Sequence, residues 1–524
     1  MFPYHFLISL LPEGGQSFAA GLHPEMLRAW LTAHAGMPPA EAAAAIKEQL
    51  QRLAAAPGLR LRMRMLDILA EETRRIAGSV EADLDRAHHP LSTALRGQVV
   101  AGNNLLKCHA QSYRAVAEKL LVGWLRWGNG DLLRHALRNA MDLERRRLLL
   151  AHRAYAPGSK SAWRSLHRLY RMARSARLDG NAAEDAIAIR HQYLKTLLLA
   201  LAEPAQLAPG ELDRIRFYLE RHAGLAELRD LASQAPWSNA ASAEGCFLIR
   251  RNEEGPGRSL RKWHQIEAQG GDLLLDCGPL LKRMHGQIDA IERGVLPSKV
   301  GLPSVAHRPN YLAMMKGLLT LWSAPPVRRF PRQHFKPRVE LATGLDDLWT
   351  LLSGAPPRRR RGDAAPHPPE AGTVELSEWS VANESPTGFA LDYLSGDSGT
   401  LAVGMLAGVR SPDRGQTHIC LVRRLVSGDA RRTELGLQKY APCAVPTTIT
   451  WGGGAAAPRP PVRAIVLPQV PSLGGAAAVI AAPGALRPGK RVPFELEGRR
   501  LTYVAGMPIE HGVHHEVISL TCPD

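Results

Sequence analysis

Apolar residues recur every three or four positions from about Pro24 to Ala232, which is the period of an amphipathic helix. The spacing is clear in four leucines, Leu194, Leu197, Leu198 and Leu201. Turn residues interrupt the pattern at 36–39, 56–58, 128–130, 157–158 and 204–209. We therefore predict an all-helical domain over residues 1–242.

The pattern becomes mixed over residues 243–324. Gly245–Ile249 and Asp272–Asp276 are short apolar runs typical of strands, whereas Leu280–Arg293 and Tyr311–Trp322 have helical spacing. This region is predicted to be either a small α/β unit or a long bridge between domains.

From Pro325 onward the alternation is that of strands. Glycine and charged turns separate six strand candidates: Arg338–Leu341, Val374–Val381, Phe389–Tyr393, Met405–Arg410, Thr417–Val426 and Thr433–Leu437. We predict an antiparallel barrel over residues 325–449, with a short helix at Leu345–Leu352. A proline-rich stretch with the basic cluster Arg358–Arg361 predicts a flexible insertion over residues 354–373.

A Gly/Ala/Pro-rich linker over residues 450–461 precedes four more strand candidates. These are Val462–Leu467, Ala476–Ala482, Leu501–Ala505 and Glu516–Thr521. Residues 462–524 are predicted to form a small β-rich domain, either as a second barrel or sheet or as strands added to the first barrel. The whole chain is thus predicted to be multidomain α + β.

The 524-residue chain has a formal net charge of +17, which suits an anionic partner. The same charge is expected where arginines fill solvated faces in a chain rich in Ala, Gly, Pro and Arg, and this interpretation is favoured. Six scattered cysteines without a Cys-x-x-Cys pair favour reduced thiols over disulfides or zinc. The segment MFPYHFLISLLPEGG lacks a basic n-region, and no apolar run is long enough to cross a bilayer. We expect a cytoplasmic protein without a membrane span.

No phosphate-cradling, dinucleotide-binding or nucleophile-elbow motif is present, so we predict a protein that is not an enzyme. His511, His514, His515 and Glu516 are close in sequence. A strand starting at Glu516 would direct His514 and His515 to opposite faces, which favours a surface cluster over a metal site.

Two motifs flank the start of the barrel. Arg328 and Arg332 form R-x-x-x-R in a stretch that Pro331 keeps from being a regular helix, and Asn383, Ser385 and Gly388 form N-x-S-x-x-G between two strand candidates. Their order and the surrounding strand pattern resemble the PilZ domain, a family of cyclic di-GMP receptors, over about Pro325 to Pro446. The helical region ahead of the barrel is similar to that of other bacterial PilZ proteins.

The resemblance implies a ligand site and assigns its residues. Arg328 and Arg332 would clamp cyclic di-GMP, with the neighbouring Arg329 able to replace Arg328. Asn383 and Ser385 would bind a guanine edge, and Gly388 would shape the turn. The chemistry is reasonable, because the planar guanidinium fork matches phosphate oxygens and the O6/N7 edge of guanine. No cofactor or metal is implied.

The predicted function is that of a non-enzymatic effector that relays the nucleotide level to a protein partner through its helical domain. The resemblance places it in surface attachment, pili, motility or exopolysaccharide control. The first alternative is a scaffold that keeps the PilZ fold without binding nucleotide. A basic nucleic-acid-binding protein is the third and least favoured hypothesis.

Overall fold

The computed structural model describes residues 23–54, 58–122, 128–179, 184–231, 244–262, 269–325, 337–359, 373–396, 400–412, 416–427, 432–449, 461–468, 476–496, 499–512 and 514–521. A helical region comes first among them, and two β-rich bodies follow. This order confirms the predicted multidomain α + β class.

Eleven α-helices lie within the described residues. They are α1 (Pro24–Ala33), α2 (Pro39–Leu53), α3 (Leu59–Arg86), α4 (Thr93–Leu120), α5 (Gly130–Arg153), α6 (Lys160–Ser175), α7 (Glu184–Leu201), α8 (Glu211–His222), α9 (Gly278–Glu292), α10 (Pro309–Ser323) and α11 (Leu345–Leu352). Each predicted turn segment falls at a junction between two helices. Serine caps two of the starts, since Ser92 and Ser159 accept backbone N–H hydrogen bonds at α4 and α6.

Seventeen strands lie within the same described ranges. They are β1 (Glu227–Asp230), β2 (Cys246–Ile249), β3 (Arg258–Ser259), β4 (Leu273–Asp276), β5 (Arg338–Thr343), β6 (Pro357–Arg359), β7 (Val374–Ser385), β8 (Gly388–Ser395), β9 (Leu406–Arg410), β10 (Thr417–Ser427), β11 (Thr433–Ala441), β12 (Val445–Ile449), β13 (Val462–Leu467), β14 (Ala478–Ala481), β15 (Arg491–Leu496), β16 (Arg499–His511) and β17 (Glu516–Thr521).

A four-stranded sheet in the order β1-β4-β2-β3 joins the helical region to residues 243–324. The prediction of an all-helical region was wrong for β1, which is a strand. Its four residues are too few to show a strand pattern of their own beside long helices. One continuous hydrophobic cluster runs from Leu27 to Trp322. The Trp322 indole N–H donates to the Leu198 carbonyl at 3.0 Å, which fixes α10 against α7.

Arginines of the helical region form ion pairs between distant segments. Arg174 donates two hydrogen bonds to the Asp230 carboxylate, at 2.8 and 2.7 Å. Arg153, whose side chain is only 8% exposed, contacts carboxylates on α3 and α8, including that of Asp213. These carboxylates neutralise the positive charges of Arg153 and Arg174 where the elements pack together.

The first barrel is a closed ring of six antiparallel strands, β5-β7-β8-β11-β10-β9, in which β9 pairs with β5. Alternate side chains of each strand fill its interior, including Trp379, Leu391, Val422 and Leu435. The predicted insertion starts with β6, which pairs in parallel with β7. Residues 360–372 of that insertion lie outside the described residues.

The second body is a six-stranded antiparallel sheet in the order β12-β13-β14-β17-β16-β15, whose two end strands approach each other. Numbered by position along the chain, the strand order of both sheets is 1-2-3-6-5-4. The C-terminal segment therefore forms a second barrel-like sheet, the first of the two predicted alternatives. Its strand β12 falls inside the range predicted for the first barrel, and β15 had no strand candidate. Residues 450–460 of the predicted linker lie outside the described residues.

A separate hydrophobic cluster lies between the two barrels. It joins Leu348 of α11 and outward residues of the first barrel, such as Ile419 and Leu421, to Ile465 and Ile480 of the second. Because β10 is buried on both faces here, its sequence Ile-Cys-Leu-Val is continuously apolar instead of alternating.

Candidate functional site

The β7–β8 hairpin carries three of the predicted site residues. β7 ends at Ser385, Pro386 and Thr387 form a two-residue turn, and β8 begins at Gly388. The Thr387 carbonyl accepts a hydrogen bond from the backbone N–H of Lys439 on β11, at 2.9 Å. The tip of the hairpin is therefore fixed to the wall of the barrel.

A row of four paired residues crosses the outer surface of this barrel. From β7 to β10 the row is Asn383, Ala390, Gly436 and Arg424, each paired with the next. Three strand spacings of about 4.8 Å separate its ends, about 14 Å along the sheet. The side chains of Asn383 and Arg424 thus lie at opposite ends of a floor formed by two small residues, Ala390 and Gly436.

This row lies in an open groove of about 600 Å³ on the outer face of β7, β8, β11 and β10. The volume is in the range of small-molecule sites. Ser385 lies on the same side as Asn383, and Asp392 and Glu434, which are neighbours across strands β8 and β11, place two carboxylates at one end of the groove. Gln206 of the helical region also lines the groove.

The polar groups of the hairpin are available to a ligand. The Asn383 carboxamide is half-buried and makes no side-chain hydrogen bond within the described ranges. The Ser385 hydroxyl contacts the Gly388 carbonyl at 3.4 Å and the Thr387 hydroxyl at 3.5 Å, both long for hydroxyl hydrogen bonds. Neither side chain is needed to hold the hairpin together.

Glycine is required at position 388 by the packing of the backbone, independently of any ligand. A Cβ atom at this position would lie 2.3 Å from the Leu437 carbonyl oxygen. Only glycine allows β8 to approach β11 this closely. At Gly436 a Cβ atom would lie 3.0 Å from the Cβ of Arg424, so the floor of the groove is tight there too.

Two arginines of the groove were missing from the sequence-based prediction. β10 contains a bulge between Val422 and Arg424, so that Arg423 and Arg424 both face outward while Val422 and Leu425 face the interior. The signal was present in ICLVRRL, where two adjacent charged residues interrupt a strand. A regular strand would have placed one of them inside the barrel.

Arg423 connects the groove to the second barrel. Its guanidinium donates to both oxygens of Glu510 on β16, at 2.6 and 2.9 Å, and its Nε–H donates to Gln438 at 2.7 Å. The Tyr440 hydroxyl also donates to Glu510, and burial together with this carboxylate raises the pKa of Tyr440. Glu510 thus holds two groups of the first barrel.

The helical region also contacts the first barrel. The Ser427 N–H donates to the Tyr155 carbonyl at 2.8 Å, and the Leu401 N–H donates to the His89 carbonyl at 2.9 Å. Burial raises the pKa of Glu203, whereas the positive charge of Arg424 acts in the opposite direction. Arg424 is therefore close enough to the helical region to interact with it electrostatically.

The three predicted arginines, Arg328, Arg329 and Arg332, lie outside the described residues. The chain re-enters the described part at Pro337, whose carbonyl accepts a hydrogen bond from the Val381 N–H at 3.0 Å. Val381 precedes Asn383 by two residues on β7. The described part of the chain therefore resumes against β7, at the residue two before Asn383.

The C-terminal histidines do not converge. His515 is buried at 3% exposure, His514 is exposed, and the His511 ring lies 3.1 Å from Glu516. No group of three or more His, Cys, Asp or Glu side chains able to hold a metal occurs among the described residues. Within these same ranges no helix is both long and apolar enough to cross a membrane.

Comparison with known proteins finds similarity to one receptor family. A family model described as the N-terminal domain of the cyclic-di-GMP receptor FimW matches residues 25–234, from α1 to just past β1. The cyclic-di-GMP receptor FimW of Pseudomonas aeruginosa PAO1 is 21% identical over 420 residues, covering 67% of this chain and 66% of the relative. No solved structure gives a significant match.

Proposed function

We propose that the protein is a non-enzymatic receptor for cyclic di-GMP and that the groove of the first barrel is its nucleotide site. The observation that carries the proposal is the position of Asn383 and Ser385 together on one open outer face of a closed six-stranded barrel. The similarity of the helical region to a cyclic di-GMP receptor family supports the same ligand.

The PilZ-type clamp is consistent with how the chain enters the barrel. Arg332 precedes Pro337 by five residues, which span at most about 17 Å when extended. Since Pro337 is bonded to β7 next to Asn383, this length allows the Arg332 side chain to reach the groove. We assign Arg332, with Arg328 or Arg329, to the ligand phosphates.

The groups in the groove suit the parts of the ligand. Asn383 and Ser385 offer a carboxamide and a hydroxyl, which can both donate and accept hydrogen bonds at a guanine edge. Asp392 and Glu434 are acceptors for the N–H groups of a guanine. The floor formed by Ala390 and Gly436 leaves room for a flat base to lie near the strands.

The helical region is the proposed output surface. It contacts the barrel through Tyr155 and His89 and contributes Gln206 to the groove, so a ligand there touches both parts of the molecule. We propose that nucleotide binding changes the presentation of this region to a protein partner in the cytoplasm. We propose surface attachment, pili, motility or exopolysaccharide control as the setting of that partner, as the PilZ resemblance implies.

The two alternatives differ from this proposal in what they require. Nucleic-acid binding needs a continuous stripe of available arginines, whereas Arg153 and Arg174 are engaged with carboxylates. A ligand-free scaffold needs the barrel and its contacts but not the groove chemistry. Titration with nucleotide separates these hypotheses.

The test is calorimetric titration of the full chain with cyclic di-GMP, with GTP as a second ligand. We expect low-micromolar or tighter binding of cyclic di-GMP and none of GTP. Arg332→Ala should weaken binding by about 10- to 100-fold, because a bidentate arginine contact contributes about 1–3 kcal/mol.

The matched control is Arg338→Ala on β5. Arg338 is exposed, pairs with Glu378 at 3.2 Å, and is not among the described residues that line the groove. Its removal should leave affinity unchanged. Absence of heat and of a thermal shift for the folded wild-type protein would reject the receptor and favour the scaffold.

A further inference from the structure

We propose that Arg423 and Arg424 form a second arginine pair of the nucleotide site and that the second barrel, through Glu510, positions Arg423 for it. The inference rests on the proposed function of the groove. It assigns to the C-terminal barrel a role in ligand affinity and not the binding of a second nucleotide.

The position of Arg424 follows from the strand register. It ends the row that begins at Asn383, with only Ala390 and Gly436 between them. A ligand lying on this floor and held by Asn383 at one end therefore meets the guanidinium of Arg424 at the other. The Arg424 side chain is exposed, so its charge faces the groove and the solvent.

Unlike Arg424, Arg423 has a side chain whose orientation is fixed by hydrogen bonds. Glu510 and Gln438 accept three of its five N–H groups, which leaves two donors for a ligand. Guanidinium groups held in this way lose less conformational entropy when they bind an anion. Pairing with Glu510 thus prepares Arg423 for phosphate, although it also neutralises part of its charge.

The second barrel is built to hold Glu510 in place. Its outward residues Ile465 and Ile480 are fully buried against the first barrel, which fixes the position of the two bodies relative to each other. Tyr440 of β11 donates a third hydrogen bond to Glu510, beside the two from Arg423. The carboxylate therefore has little freedom, and neither has the arginine that it binds.

The first experiment measures the affinity of the full chain for cyclic di-GMP in Arg424→Ala, Arg424→Lys and Arg338→Ala. We expect about a tenfold or greater loss for Arg424→Ala, partial recovery for Arg424→Lys because the charge returns without the planar fork, and no change for Arg338→Ala. Wild-type affinity in Arg424→Ala would overturn the assignment of this arginine.

A double-mutant cycle tests the positioning role of Glu510. Glu510→Gln should weaken binding about three- to tenfold in the wild-type background and have no further effect when Arg423 is already alanine. Equal losses in both backgrounds would mean that Glu510 acts by another route and would overturn the inference. Arg463→Ala removes an exposed ion pair between β13 and Asp346 of α11, 3.2 Å long, and serves as the control for a general disturbance of the interface.

Loss of the receptor and loss of the second arginine pair give different experimental results. A folded wild-type protein that does not bind cyclic di-GMP rejects the receptor itself. Binding that depends on Arg332 and Asn383 but not on Arg423 or Arg424 keeps the receptor and rejects the second arginine pair. Thermal unfolding of each variant, measured alongside, identifies any variant that has lost its fold.

Discussion

The two barrels have the same strand order but use the same face differently. In the first barrel the outer face of its second, third, sixth and fifth strands is the open groove. In the second barrel the corresponding face contains Ile465, Ile480 and Val517, which pack against the first barrel. One topology therefore provides a candidate ligand surface in one copy and a docking surface in the other.

The two outer faces differ in their side chains and in one connecting loop, and not in the order of their strands. The second and third strands of the first barrel are joined by a two-residue turn that places Ser385 and Gly388 opposite each other. In the second barrel ten residues, 468–477, separate the equivalent strands β13 and β14. The candidate site therefore depends on side chains and a turn, since the strand order alone does not distinguish the two barrels.

The largest expected effect is a loss of stability, at the face of the first barrel that packs against the second. Leu421 is fully buried between the barrels, and its neighbour Val422 is fully buried inside the first. Leu421→Ala should lower the free energy of unfolding by about 2–5 kcal/mol, as for other buried leucines. Chemical denaturation measures the total, and hydrogen exchange should show the loss in β13 and β14 as well as in β10.

Val422→Ala is the matched variant for that comparison, and its effect should concentrate in the first barrel. If Leu421→Ala costs less than about 1 kcal/mol and leaves exchange in β13 and β14 unchanged, the cluster is not a firm interface. The two barrels would then be independent bodies.

The next largest expected effect is a difference between the two barrels in their stability at acidic pH. Burial lowers the pKa of His515 in the second barrel to about 4, with Glu510 raising it and His514 and Arg423 lowering it further. An unfolded histidine titrates near 6.5, so the unfolded state binds the proton first and stability falls as the pH drops from about 6.5 to 4. The loss from this group is up to about 3 kcal/mol.

Hydrogen exchange in β16 and β17 should therefore increase on acidification before that in the first barrel, where His418 is only half-buried. His515→Gln should reduce the pH dependence of β16 and β17. Equal pH dependence of exchange in the variant and the wild type would show that other groups control acid stability.

A smaller loss of stability is expected from substitution of Gly388, a glycine that the second barrel lacks at the corresponding position. Gly388 begins the third strand of the first barrel, and Ala478 begins that of the second. Gly388→Ala places a Cβ against the Leu437 carbonyl and should cost about 1–3 kcal/mol in unfolding free energy. Gly286→Ala, on α9 where the new Cβ meets nothing within 4 Å, should stabilise slightly in the same denaturation assay.

Sequence patterns predicted long elements well and missed features that depend on distant partners. Helix breaks were marked by glycine and proline, and the strands of the first barrel by alternation. Strand β1 is too short for a pattern, and β12 is recognisable only because it pairs with β13. Within the candidate groove, Asn383 and Ser385 were predicted from their motif, whereas Arg423 and Arg424 depend on a bulge whose register only β11 reveals.

The smallest expected effect on stability is also the sharpest test of the open face. Asn383→Ala should change the free energy of unfolding by less than about 0.5 kcal/mol, because its carboxamide bonds to no other described residue. The same change should weaken cyclic di-GMP binding about tenfold in calorimetry, equivalent to about 1.4 kcal/mol. The second barrel has no equivalent residue, since its face is covered. A variant that binds normally would move the ligand away from this groove, and one that also unfolds readily would make Asn383 a structural residue of the hairpin.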